Sequence, residues 1–168
     1  MNSEEILGPD QIGEILIKTP FMMKGYINSE LNKSFFGKDG FAHTGDLGYF
    51  KSKDYSLVFE SRLKDLIKYQ GNHLYPMELE NIIKKLDGVA EVVVFGIPVG
   101  EFQELVTAIV IQEKDFVLEP EDIEKHVIDS GVESYKYIRG GVKFAKSIPK
   151  NATGKILRRD LPEYFKSL

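Results

Sequence analysis

Apolar and polar residues alternate through GEILIK (residues 13–18), the period-two pattern of a half-buried strand, and Thr19-Pro20 ends the run. Ser29 then stands where it would cap a short helix over ELNKSFF (residues 30–36), ahead of an Asp39-Gly40 turn. GDLGYF and YSLVFES follow, separated by the polar KSKD, and predict a β-hairpin. At Pro76 the period lengthens. Proline at the first helical position, Glu78 and Glu80 in the first turn, Lys84 and Lys85 in the last and Gly88 just beyond predict a helix whose buried stripe is Leu79, Ile82, Ile83 and Leu86. Two apolar strands come next, AEVVVFGI and LVTAIVIQ. A second helix between Pro120 and Gly131, a strand over GVKFAKSI and a short helix after Lys155 complete the pattern.

The fold class expected is therefore α+β: a β-rich segment over residues 1–61, then a compact α+β part over residues 62–168 with a short mixed sheet flanked by helices. At 168 residues the chain can bury a genuine core as one domain or two small ones. Hydrophobic residues make up 42%, charged residues 29%, and the formal net charge is −4, so no global basic excess points to nucleic acid. Cysteine is absent, which excludes disulfides, thiolate zinc sites and thiol catalysis. The acidic start MNSEEILGPD does not read as a signal peptide, and the longest apolar runs are strand-length. The terminal KSL holds the residues of the peroxisomal SKL address in another order. These features lead us to expect a soluble, intracellular protein, cytoplasmic or peroxisomal.

Charge becomes informative in its distribution. Residues 113–133 hold eight acids against Lys114 and Lys125, whereas residues 136–159 hold eight bases and no acid. The acids read as a solvated helix face. The basic run ends in a glycine turn and Lys155, a combination that can bring backbone N–H groups and an ammonium to one anion. PKNATGK is not a Walker A loop, since Pro149 and Ile156 occupy positions that need glycine and a hydroxyl residue. Spacing alone leaves Lys155 either a phosphate ligand or a surface lysine. In HTGDLG, Asp46 lies between Gly45 and Gly48 at an expected tight turn, where it can bind a vicinal diol such as ribose or accept backbone N–H groups in an Asx-type turn. SRLKDLIKYQG carries Arg62, Lys64 and Lys68 between the two halves, as a hinge near residues 62–66 or as a basic linker. His43, His73 and His126 lack metal-ligand spacing, and no metal site is expected.

Taken in order, GEILIKTPFMMKGYIN, DGFAHTGDLGYF, SRLKDLIKYQGNHLYPMELE and IPKNATGKILRRDL resemble the late motifs of adenylate-forming enzymes: acyl-CoA synthetases, 4-coumarate-CoA ligase and beetle luciferase. The similarity covers essentially the whole chain. It implies the C-terminal part of such an enzyme, with residues 1–61 as the tail of a large N-terminal adenylation domain and residues 62–168 as a mobile lid. It also implies a carboxylic acid substrate, ATP with Mg bound mainly by the N-terminal domain, and CoA.

The same resemblance implies roles. Asp46 and Arg62 would hold the ribose of the nucleotide, and Lys64 would be the hinge about which the lid rotates. Lys155 would serve adenylate formation. Lys68, with Tyr69, Gln70, Gly71 and His73, would serve the thioester stage. Departures from the pattern are Thr19 in place of a usual glycine, His73 where related CoA ligases often carry glutamine, and the bulky Leu74-Tyr75 before Pro76. About two thirds of such an enzyme would lie upstream. The chain alone is then expected to be inactive, and its β-rich part to expose apolar surface that promotes self-association. A luciferase-like oxygenase and a stand-alone binding module are the alternative readings.

Overall fold

The computed structural model describes residues 5–168 and divides into two compact units, one ending at Lys64 and the other running from Asp65 to Leu168. The first unit contains strand β1 (Gly13–Ile17), helix α1 (Glu30–Phe35), β2 (Ala42–Phe50) and β3 (Leu57–Arg62). The strands form an antiparallel sheet in the order β1-β2-β3, so the expected strand and hairpin are present. Its core is small, centred on the buried Ala42 and Leu47. Many apolar side chains remain outside it, among them Phe21, Ile27, Phe50, Leu57 and Phe59.

Ser29 does occupy the N-cap position of α1, but its side chain makes no capping hydrogen bond. Its backbone is already helical there, and the capping acceptor is one residue earlier: Asn28 Oδ1 receives the Glu30 N–H at 3.2 Å.

The second unit comprises β4 (Ile67–Tyr69), β5 (Asn72–Leu74), α2 (Pro76–Ile83), β6 (Val89–Val99), β7 (Gln103–Gln112), α3 (Pro120–Asp129), β8 (Gly141–Phe144) and α4 (Leu161–Ser167). Strands β6 and β7 pair antiparallel, and β8 adds parallel to β7 after the crossover through α3, giving a mixed sheet. The uninterrupted VVVF run now has a cause. Val92 and Val94 point to a core shared with Leu79 and Ile83 of α2 and Ile123 and Val127 of α3, whereas Val93 and Phe95 pack on the other face against Ile148, Leu161 and Phe165. A strand covered on both faces has no polar positions to alternate with.

Pro120 opens α3 behind a reciprocal cap in which the Glu119 and Asp122 side chains each accept a backbone N–H. Two expectations are shortened. Helix α2 ends at Ile83, so Lys84 is its C-cap and Lys85 lies beyond it; β8 takes only four residues of GVKFAKSI. One element was unforeseen: LIKYQGNHL forms the β4-β5 hairpin, turned by Gln70 and Gly71, both at positive φ (49° and 76°) as a type I′ turn requires.

Candidate functional site

Asp46 lies within β2 and not at a tight turn. Glu14 pairs with Leu47 and Leu16 with His43, so β2 carries extra residues against β1 around Gly45, whose φ is +69°. This bulge re-aims Asp46 toward its cross-strand partner on β3, Arg62. Arg62 Nε sits 2.8 Å from Asp46 Oδ1, an oxygen cut off from solvent. The contact is too bent to count as a hydrogen bond, so the buried Oδ1 has a charge partner but no aligned donor. The Asx-type alternative is not what forms. The Asp46 N–H instead donates to Thr44 Oγ1 (3.0 Å), and Glu14 supports the bulge by accepting the Gly45 N–H (3.0 Å) while contacting His43 Nδ1 (2.9 Å).

The segment carrying Lys64 and Lys68 is an ordered structure and not a plain linker. Lys64 is exposed on the 3₁₀ turn Leu63–Asp65, and the two units divide after it. Leu66 and Ile67 are buried, and the Lys68↔His73 register puts those two exposed side chains side by side on the outer face of the hairpin. Tyr69 faces the opposite way, packed against the core with the Arg139 guanidinium over its ring at 5.0 Å. Gln70 and Gly71 form the turn itself.

Lys155 is exposed in a closed loop in which Asn151 Oδ1 accepts three donors: the Thr153 N–H (3.0 Å), the Thr153 hydroxyl (2.8 Å) and the Lys155 N–H (2.9 Å). The Gly154 N–H goes to the Asn151 carbonyl, and Gly154 takes φ +81°. The N–H groups expected to cradle an anion are therefore spent inside the loop. What the loop presents is the ammonium. Three residues on, Arg158 turns inward, donating to Val94 O (2.8 Å) and Glu80 Oε1 (2.9 Å), with Asp65 Oδ2 3.5 Å from its Nε.

Sequence reasoning missed Asn151, Arg158 and Glu80 as the parts that shape this region. Among the described residues Lys136, Lys150 and Arg158 are ion-paired, whereas the ammonium groups of Lys64, Lys68 and Lys155 have no carboxylate within 4.0 Å. Also among the described residues, no group of three or more His, Asp or Glu is placed to hold a metal, and no helix is long and apolar enough to cross a membrane.

The first unit thus carries a half-buried carboxylate-guanidinium pair, and the second carries exposed lysines, without ion pairs among the described residues, on strand β4 and on the loop over residues 151–155. Residues 78–155 match the AMP-binding enzyme C-terminal domain. The chain belongs to the adenylate-forming superfamily and corresponds to the C-terminal part of its members.

It is 35% identical to luciferin 4-monooxygenase of Nipponoluciola cruciata over 99% of its length and 34% identical to phenylacetyl-CoA ligase epaB of Aspergillus niger over 96%. It spans 30% of each of these relatives. Among solved structures, ATP-bound MatB from Rhodopseudomonas palustris superposes with a TM-score of 0.87 at 34% identity, covering 95% of this chain and 31% of MatB.

Proposed function

We propose that this chain works as the C-terminal part of an ATP-dependent acyl- or aryl-CoA ligase, joined to an N-terminal adenylation body. The observation that carries the proposal is that Lys68, on strand β4, and Lys155, on the loop closed by Asn151, present exposed ammonium groups, without ion pairs among the described residues, from two separately anchored segments of one unit. In the first half-reaction a carboxylate oxygen attacks the α-phosphorus of ATP and pyrophosphate leaves. Lys155 neutralises charge that accumulates between carboxylate and phosphate. In the second, the CoA thiolate attacks the acyl carbon and AMP leaves with the bonding electrons, with the hairpin against the adenylate: Lys68 and His73 on its outer face, Gln70 and Gly71 at its turn, and Tyr69 supporting it from the core side. The change between the two arrangements would occur at the boundary between the units, with Lys64 its hinge.

Asp46 suits a ribose because its carboxylate is charge-balanced by Arg62 yet has an oxygen, Oδ1, with no hydrogen-bond donor. Mg would come with ATP on the N-terminal body, where its chemistry is to offset phosphate charge. The exposed apolar face of the first unit supports the reading, since such a face is what further protein would cover.

The test uses a ligase in which this chain follows an N-terminal adenylation body. Lys155→Ala should lower adenylate formation by about a hundredfold and spare thioester formation from supplied acyl-adenylate; Lys68→Ala should do the reverse. Equal loss in both half-reactions from either variant refutes the assignment. A second reading, an oxygenase acting on the same adenylate, is favoured by the 35% identity to luciferin 4-monooxygenase. Light emission with luciferin, ATP and oxygen would establish it.

A further inference from the structure

In a hairpin closed by two residues, the pair flanking the turn exchanges hydrogen bonds and the next pair does not. Tyr69↔Asn72 is the flanking pair, so Lys68↔His73 is the open one, and the Lys68 N–H points away from β5. It finds its acceptor in Glu104 of β7, whose Oε2 lies 2.9 Å away. Glu104 is half-buried and belongs to no ion pair among the described residues. To reach Lys68 its side chain folds back over Gly96 of β6: a Cβ at residue 96 would lie 2.8 Å from Glu104 Cβ, 2.9 Å from Cδ and 3.1 Å from Oε2. Glycine there is what leaves room for the carboxylate.

We infer that Glu104 is a positioning residue for Lys68, seated by the missing side chain at Gly96, so that the hairpin lysine is registered against the central sheet. This rests on the assignment of Lys68 to thioester formation. A carboxylate acceptor is charge-assisted and stronger than a neutral one, and here it satisfies an edge N–H that the hairpin ladder cannot. It fixes the backbone at the one residue whose side chain has to reach the reacting centre, which Lys68's own exposed ammonium cannot do for itself.

Two readouts test it. In the 168-residue chain, amide hydrogen exchange at Lys68 should accelerate by about tenfold or more in Glu104→Ala and in Gly96→Ala, and much less in Glu104→Gln, which keeps an oxygen acceptor. In a ligase carrying this chain, Glu104→Ala should lower kcat for thioester formation by about tenfold while leaving adenylate formation unchanged, and Glu104→Gln should restore most of the loss. Unchanged Lys68 exchange in both Glu104→Ala and Gly96→Ala overturns the inference, as does an equal fall in the two half-reactions. If Lys68→Ala leaves thioester formation intact, the assignment of Lys68 fails, while the exchange arm still decides the Glu104 contact. Gly96→Ala removes the contact without touching Glu104, so it decides the question if Glu104→Ala does not fold.

Discussion

Replacing Arg158 by methionine should destabilise the second unit by about 2–4 kcal/mol. Arg158 closes a ring: its guanidinium donates to Val94 O and Glu80 Oε1, and the Val94 N–H returns to the same Glu80 oxygen at 3.0 Å. Asp65 completes the surroundings at 3.5 Å. The side chains of Arg158, Glu80 and Asp65 are 27%, 16% and 20% exposed, so removal of the cation strands two mostly buried carboxylates. A hydrogen bond to a charged group contributes about 1.5–3 kcal/mol, and breaking a fully buried pair costs roughly 3–5. Residual water access brings the expected loss below that upper range.

A unit of this size has a stability on the order of 5–15 kcal/mol, so the variant should still fold. With a urea m-value of about 1.5 kcal/mol/M, its midpoint should fall by about 1.3–2.7 M at unchanged m in far-UV circular dichroism. A double-mutant cycle with Glu80→Gln should return a coupling of about 1–2 kcal/mol. A loss under about 0.5 kcal/mol, or strict additivity, would show that the ring is only a solvated surface network and refute the reasoning.

Lys136 joins α2 to the turn after α3 through Glu78 (2.7 Å) and Glu133 (2.9 Å). The hydrogen bond from Lys136 holds the Glu133 carboxyl below its ordinary 4.5, so its contribution to stability is present above pH 4.5 and is lost as pH falls through the lower folded value. In Lys136→Met, carboxyl-detected NMR titration should find Glu133 moved upward toward its ordinary value, part of the lowering remaining with its backbone hydrogen bond; an unmoved titration contradicts the pairing. For Lys136 itself, burial pulls the ammonium down and the two carboxylates more than offset this, so its contribution is present below pH 10.5 and disappears as pH rises through the raised value. Phe50, Leu57 and Phe59 share one exposed face of the first sheet, and the chain alone should self-associate in sedimentation velocity. Leu57→Lys with Phe59→Lys should abolish this, and a strictly monomeric wild type at all accessible concentrations refutes it. Asn151→Ala should speed amide exchange at Lys155 by about tenfold, yet change global stability by less than about 1 kcal/mol because the loop is exposed; unchanged exchange shows that Asn151 does not hold the loop.

Periodicity made legible those elements whose burial is one-sided or complete over many residues. Helix α2 announced itself by proline at the first position and an apolar stripe, α3 by Pro120 and Gly131 at its ends, and β6 and β7 by strand-length apolar runs that prove to be buried on both faces. The β4-β5 hairpin was hidden because its three-residue strands give no period to count and its charges invite reading as a linker, although a Gln-Gly pair between apolar flanks is itself a turn signal. The lysines of the candidate site could be picked out because motifs in sequence order specify them. Their supports could not, because each acts across a long stretch of chain: Glu104 is 36 residues from Lys68, and Arg158 is 78 from Glu80.

The anion cradle expected around Lys155 failed for a related reason. Gly154 supplies positive φ, as a phosphate nest would require, but Asn151 four residues earlier takes the N–H groups that a nest would offer. A loop that binds anions through its backbone must leave those groups unpaired until the ligand arrives. This loop is closed in advance, so any electrostatic work falls to the Lys155 ammonium, whose reach is adjustable where a backbone nest is fixed. In the proposed function Lys155 enters and leaves a reacting centre with its domain, and that division of labour suits it: a loop closed by its own hydrogen bonds carries the lysine, and withdrawal leaves no orphaned backbone donors behind.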